Sequence, residues 1–311
     1  MQPVIEVKNL CKQFRTVTAV DDLSFTVNDG DIYGFLGQNG AGKSTTIRML
    51  LTLVQPTAGT IKLFDHQLSN GNRKALANVG AVIEKPDVYK YLSAYNNLRL
   101  FARLSGCSPS QKELMQQLEM VGLAARAHDA VKTFSQGMKQ RLGIAIALIH
   151  NPQLIILDEP TNGLDPQGIA GIRNLILHLG REMKKTILIS SHLLSEIEQV
   201  ATNLLIIDKG KKLIEGNTKE LFNPEETIVE LDTNNNTEAA AKISNSAWQQ
   251  KMLVAGNNRL RFKMHLKDVP AFNIWLVQND IPVLNLESRH SLEDYFLQIT
   301  NGKQYVEPVA N

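Results

Sequence analysis

The sequence predicts an α/β fold: a doubly wound parallel core within residues 1–223, a small α+β domain over 224–300 and a flexible tail at 301–311. Three observations predict it. Apolar runs at 32–36, 154–157, 187–190 and 204–207 have the pattern of strands buried on both faces, and helix-like spacing separates them. A glycine-rich stretch, Gly37-Gln38-Asn39-Gly40-Ala41-Gly42-Lys43-Ser44-Thr45, joins the first run to a helical pattern over 46–51. Composition then shifts after Leu221: Asn223-Pro224 breaks the pattern and Asp232-Thr233-Asn234-Asn235-Asn236 is polar and turn-like. At 311 residues the chain exceeds the ~250–300 at which single cores stop growing, so two domains are expected.

Each element follows in order. Residues 1–8 alternate in polarity and read as a strand, with neither the positive start nor the apolar run of a signal peptide. Short runs rich in Val, Ile and Phe continue to residue 35, separated by Asp22 and Asn28-Asp29-Gly30, which predicts antiparallel strands. Residues 90–135 form a mostly helical insert, with helices over 94–104 and 111–120 and a helix start at Ser108-Pro109-Ser110. A further helix ends at Asn151-Pro152, ahead of the strand at 154–157. Lys209, Lys211 and Lys212 around Gly210 read as a solvated hairpin turn. Beyond 224 come segments at 227–231, a helix-like stretch around 239–250, and segments at 259–264, 269–278, 283–286 and 291–299, whose order suggests a small two-layer α+β module. The residues from 301 are polar and expected to fray.

Bulk properties narrow the classes. With 43% hydrophobic and 21% charged residues the chain can form a core and is not a disordered type. A net charge of +2 and the lack of a long basic run argue against direct nucleic-acid binding. Cys11 and Cys107 have no CxxC partner, which argues against a disulfide framework and a zinc site and suits a reducing cytosol. The longest uncharged stretch, 142–157, is broken by Asn151-Pro152 and falls short of the ~18–20 apolar residues of a membrane span.

The glycine-rich stretch fits the phosphate-binding pattern G-x-x-x-x-G-K-[ST]. Its backbone can curl so that successive N–H groups from Gly37 to Gly42 face one anion, at the positive end of the following helix. Lys43 can reach β- and γ-phosphates, and Ser44 can offer its hydroxyl to Mg²⁺. The plain alternative is a glycine-rich turn that merely matches, and the remaining chain argues against it. The run 154–157 delivers Asp158 and Glu159 to a strand end, Asp158 suited to hold Mg²⁺ and Glu159 to polarise a water attacking the γ-phosphate of ATP. Away from a phosphate loop, the same two acids would merely cap a strand before Pro160.

Phe134-Ser135-Gln136-Gly137-Met138-Lys139-Gln140-Arg141 stands at a helix start before that strand. Taken alone it is an ordinary N-cap. Together with Asp158-Glu159-Pro160-Thr161-Asn162-Gly163-Leu164-Asp165-Pro166 and Ser190-Ser191-His192, it resembles the nucleotide-binding subunit of an ABC transporter, over roughly residues 3–222. The family signature is usually LSGGQ; here Ser135 and Gly137 are kept and Gln136 replaces the first glycine. The resemblance implies a P-loop NTPase cassette: a RecA-like core, an antiparallel β subdomain and the helical insert. It also implies a homodimer in which Ser135, Gln136 and Gly137 of one subunit close over ATP held by the other, with Asp165 communicating across the interface. In it His192 contacts the γ-phosphate and orients Glu159. Phe14 stands where an aromatic stacks on adenine, or else belongs to the core.

Glu84, in Gly80-Ala81-Val82-Ile83-Glu84-Lys85-Pro86, occupies the place of a glutamine that gives a neutral oxygen to Mg²⁺ and links nucleotide to membrane subunit. This departure, with Pro86 and the 89–95 segment, resembles the bacitracin- and lantibiotic-resistance branch. Its implication is a cytosolic ATPase, peripheral on the inner face of the membrane, that drives a separate permease exporting an antimicrobial peptide, drug or lipid. Membrane contact is then through the permease alone. Tyr89, Tyr91, Leu92 and Tyr95 either receive a short helix of that permease or pack within the insert. Leu292-Glu293-Asp294-Tyr295-Phe296 resembles the closing pattern of the same branch. A soluble ABC ATPase remodelling a macromolecular partner, or a sensor subunit, is the alternative.

Overall fold

A computed structural model describes residues 2–69, 73–221, 227–255 and 259–290. The chain divides into two compact units, Met1–Asn217 and Thr218–Asn311. That division precedes the 223/224 boundary expected from the sequence. The first unit's last strand ends at Asn217, so its contacts end there too, ahead of the Asn223-Pro224 break, which lies outside the described residues.

The first unit begins with β1 (Pro3–Phe14) and β2 (Val17–Asn28), an antiparallel pair. β3 (Ile32–Leu36) is buried throughout and leads through the glycine loop into α1 (Lys43–Leu50). β4 (Ala58–Leu63), β5 (His66–Gln67) and β6 (Val79–Val82) follow. The insert holds α2 (Ala94–Leu104) and α3 (Gln111–Met120), both within the expected spans. Ser110 caps α3 in a reciprocal box: it accepts from the Glu113 N–H while the Glu113 carboxylate accepts from the Ser110 N–H. Then come α4 (Gln136–Ala147), β7 (Leu154–Asp158), α5 (Pro166–Leu177), β8 (Thr186–Ser191), α6 (Leu194–Val200), β9 (Asn203–Asp208) and β10 (Lys211–Asn217).

Two sheets result, ordered β2-β1-β4-β5 and β10-β9-β3-β8-β7-β6. In the second, β9-β3-β8-β7-β6 are parallel and β10 closes one edge as a hairpin whose turn residues Lys209 and Gly210 both have positive φ. One core fills the space between the sheets, including Leu10, Phe25, Tyr33, Phe35, Ile156, Leu188 and Leu205. Tyr33 is buried there, donating to Glu215 Oε1 at 2.6 Å, and burial followed by the Glu215 charge pushes its phenol far above the ordinary range.

The second unit contains α7 (Thr218–Leu221), β11 (Thr227–Thr233), α8 (Asn236–Ser244), β12 (Met252–Ala255), β13 (Leu260–Met264), α9 (Val269–Gln278) and β14 (Val283–His290). Its antiparallel sheet is ordered β12-β13-β11-β14 and packs on α8 and α9 through Val229, Leu231, Ile243, Phe262, Phe272 and Leu276. The single helix expected over 239–250 is corrected. Ser246 Oγ donates to the Ile243 carbonyl at 2.7 Å and accepts the Trp248 N–H at 3.1 Å, so α8 ends and a separate 3₁₀ turn, Ala247–Lys251, begins. The segment expected at 291–299, with its Leu292 to Phe296 pattern, and the tail at 301–311 lie outside the described residues.

Candidate nucleotide site

Strand order brings the site together. β3, β8 and β7 are adjacent and parallel, with Leu36 beside Ser191 and Asp158 beside Ser190. The glycine loop, the Ser191-His192 turn and the Asp158-Glu159 turn therefore emerge side by side at the carboxyl ends of these interior strands, where ligands of open α/β sheets bind.

The loop is already closed. Lys43 is 5% exposed, and its Nζ donates to the carbonyls of Gly37 (2.5 Å) and Gln38 (3.2 Å). Gly42 takes φ +109° as N-cap of α1, and a Cβ there would lie 2.5 Å from the Ala19 carbonyl oxygen, so no other residue fits. Gly210 donates its N–H to the Ala41 carbonyl at 2.8 Å, fastening the β9–β10 hairpin to the loop. Gln38, Asn39 and Gly40 form an exposed rim, while Ser44 and Thr45 are half-buried at the start of α1.

Two carboxylates and a cation converge beside the loop. Glu159 Oε1 lies 3.1 Å from Lys43 Nζ, and Glu159 Oε2 lies 2.8 Å from His192 Nδ1. The Glu159 backbone sits at φ +48°, a left-handed conformation costing about 1–3 kcal/mol outside glycine. Ser190 Oγ donates to Asp158 Oδ1 at 2.6 Å and accepts the Glu159 N–H at 2.9 Å. Asp158 Oδ2 is buried and, among the described residues, has no hydrogen-bond partner.

Glu84, Gln136 and Glu159 line one cleft of about 640 Å³ with Lys85, Gln140 and Asn162. Glu84 is also left-handed, at φ +55°, and its exposed carboxylate meets Arg48 of α1 at 2.5 Å. Two residues later Pro86 rests in a notch on α4 left by Gly143, where a Cβ would come within 2.6 Å of the proline ring. Gln136 Nε2 donates to the Asn162 carbonyl at 3.2 Å. Ser135 caps α4, accepting the Met138 N–H at 3.3 Å, and Gly137 is half-exposed beside it. Asp165 caps α5 through Gly168 N–H at 2.9 Å.

Lys43, Asp158, Glu159 and His192 are thus brought together. Among the described residues no hydrogen bond or ion pair joins Phe14, Ser135 or Asp165 to them. Phe14 is 45% exposed with Lys12 Nζ 4.7 Å above its ring, which excludes a core role. Tyr91 is 88% exposed and Tyr89 54%, Tyr89 meeting Phe101, while Tyr95 meets His128 within the insert. Sequence reading assigned no role to Ser190, nor to Glu196, which accepts from Thr161 and Ser191. Neither left a signal in the linear sequence, because Ser190 meets Asp158, and Glu196 meets Thr161 and Ser191, only once the strands are ordered.

Residues 20–162 match the family described as ABC transporter. The bacitracin transport ATP-binding protein BcrA of Bacillus licheniformis is 41% identical, over 97% of this chain and 99% of its own length. The chain belongs to the ABC transporter ATP-binding proteins. The lantibiotic transport ATP-binding protein SrtF of Streptococcus pyogenes is 42% identical to this ABC subunit, over 71% of the subunit and 96% of SrtF. A dimeric post-hydrolysis structure of the cassette MJ0796 with ADP and Pi shares the fold at TM-score 0.62 and 23% identity, covering 69% of this chain and 98% of that one. The subunit binds nucleotide, and its family is one of ATPases that work with a separate membrane permease. Among the described residues no helix is long and apolar enough to cross a membrane.

Proposed function

We propose that this subunit hydrolyses Mg-ATP between two copies of itself and thereby drives a separate permease exporting an antimicrobial peptide. The Lys43–Glu159–His192 cluster at the end of β7 is the observation that carries it. Lys43 holds the β- and γ-phosphates, Glu159 takes the proton of the attacking water, and His192 orients Glu159 from its far oxygen and contacts the γ-phosphate. The backbone N–H groups from Gly37 to Thr45 supply the rest of the cradle.

The donor set fits a magnesium ion. Asp158 Oδ2 is a buried acceptor without a donor among the described residues, and Ser44 stands at the loop's helix start. Asp158, Ser44 and Glu84 are the residues to hold it, Glu84 on release from Arg48. Magnesium would supply charge neutralisation between the phosphate oxygens.

Ser135, Gln136 and Gly137 form an exposed helix tip, suited to close on the triphosphate of a second copy, with Asp165 ordering the α5 end beside it and Phe14 stacking on adenine. Binding energy available only in the closed dimer makes ATP drive closure and hydrolysis release it. The exposed Tyr91 and the loop around Glu84 and Pro86 suit the permease as partner. The peptide cargo rests on the named transport roles of BcrA and SrtF. The test is co-purification from membranes with a permease, followed by ATP-dependent protection of cells against bacitracin-like peptides. A subunit recovered free of any permease and bound to ribosomes overturns the reading.

A further inference from the structure

One carboxylate oxygen ties together the two segments that carry Glu159 and His192. Glu196 Oε2 accepts from Thr161 Oγ1 at 2.7 Å and from Ser191 Oγ at 2.8 Å. Thr161 lies on the turn that follows β7, and the Asn162 N–H donates to the Glu159 carbonyl across it at 3.1 Å. Ser191 precedes His192 directly, and its Oγ accepts the Leu193 N–H at 3.0 Å, so the histidine is bracketed on both sides. Thr161 and Ser191 are both buried, and water does not readily replace a carboxylate that holds their hydroxyls. The Glu159–His192 contact of 2.8 Å spans the same two segments.

We propose that Glu196 is a positioning residue: it fixes the turn bearing Glu159 against the turn bearing His192, and so sets the distance between the water-activating carboxylate and its orienting imidazole. Glu196 touches neither nucleotide nor water in this scheme and acts only through the pair. The inference rests on the proposed hydrolytic role of that pair. A misplacement of about 1 Å at a reacting group can cost about 10²-fold in rate, which is the scale on which the tie matters.

The experiment measures steady-state ATP hydrolysis and nucleotide affinity of the full chain for wild type, Glu196→Ala, Glu196→Gln and the pair Thr161→Val with Ser191→Ala, each with and without His192→Ala. The expected result is a kcat lowered about tenfold or more by Glu196→Ala with KM held within about twofold. Glu196→Gln, which keeps one acceptor oxygen, should recover most of the rate, and Thr161→Val with Ser191→Ala should reproduce the loss. In the His192→Ala background the loss should vanish, since both changes break one unit. Losses that multiply in that background, or a raised KM at unchanged kcat, overturn the inference. Should Glu196→Ala fail to fold, the Thr161→Val and Ser191→Ala variants carry the same comparison. A wild-type chain that binds but never hydrolyses ATP overturns the proposed function, and this inference with it; a normal wild type with an indifferent Glu196 overturns the inference alone.

Discussion

Lys43 Nζ lies 3.1 Å from Glu159 Oε1, so the cation of the phosphate loop and the carboxylate at the end of β7 neutralise each other at the carboxyl ends of the central strands. A triphosphate entering the loop competes for that ammonium. Lys43→Ala removes both the charge-assisted bonds to phosphate and the partner of a mostly buried carboxylate. At about 1.5–3 kcal/mol per bond to a charged group, nucleotide affinity should fall at least tenfold, as titration calorimetry will show.

Glu159→Gln keeps the shape of the side chain and removes its basicity. Hydrolysis should fall by roughly 10²–10⁴-fold while ATP binding survives, leaving an ATP-loaded dimer visible by size-exclusion chromatography. A glutamine variant that turns over at the wild-type rate would remove Glu159 from its assigned role.

Glu84 is held by Arg48 at 2.5 Å on an exposed surface, where such a pair contributes about 0–1 kcal/mol to stability. Neither Glu84→Gln nor Arg48→Met should therefore alter the unfolding midpoint. Glu84→Gln should preserve ATP binding and change the hydrolysis rate measured with the permease. Equal permease-coupled rates for wild type and variant would deny Glu84 a special part in coupling.

Gly143 leaves the notch that seats Pro86, and a methyl group there would overlap the ring at 2.6 Å. Gly143→Ala should cost about 1–3 kcal/mol by overpacking, read as a lowered denaturation midpoint. The loop bearing Glu84 should become more accessible to protease, because it loses its seat on α4.

Hydrogen bonds from the Ser110 backbone and hydroxyl hold the Glu113 carboxyl below its ordinary range. A carboxylate lowered on folding contributes stability above its unfolded value, and the contribution is lost as pH falls through the folded one. The stability difference between wild type and Glu113→Gln should therefore be present at neutral pH and shrink on acidification.

Much of the fold was legible because fully buried parallel strands leave uninterrupted apolar runs. Ile32–Leu36 and Leu154–Asp158 stand where those runs were, and Ser110 and Ser135 cap the helices expected after them. The 3₁₀ turn after Ser246 was not legible, since a hydroxyl bonding to its own backbone leaves the apolar spacing unchanged. Nor were the parts of Ser190 and Glu196 visible. Each depends on strand order: Ser190 reaches Asp158 because β8 lies beside β7, and linear spacing says nothing of neighbours 32 residues apart. Phe14 illustrates the reverse case, an aromatic in a strand sequence whose side chain the fold leaves outside.

Asp158 Oδ2, enclosed without a donor among the described residues, sets durability against work at one atom. An unmet acceptor of this kind costs the resting fold about 1–3 kcal/mol. Heat selection applied to nucleotide-free protein should accordingly favour loss of that carboxylate early, and the hardier survivors should be inert. Ligand-loaded protein, heated alongside, should keep it.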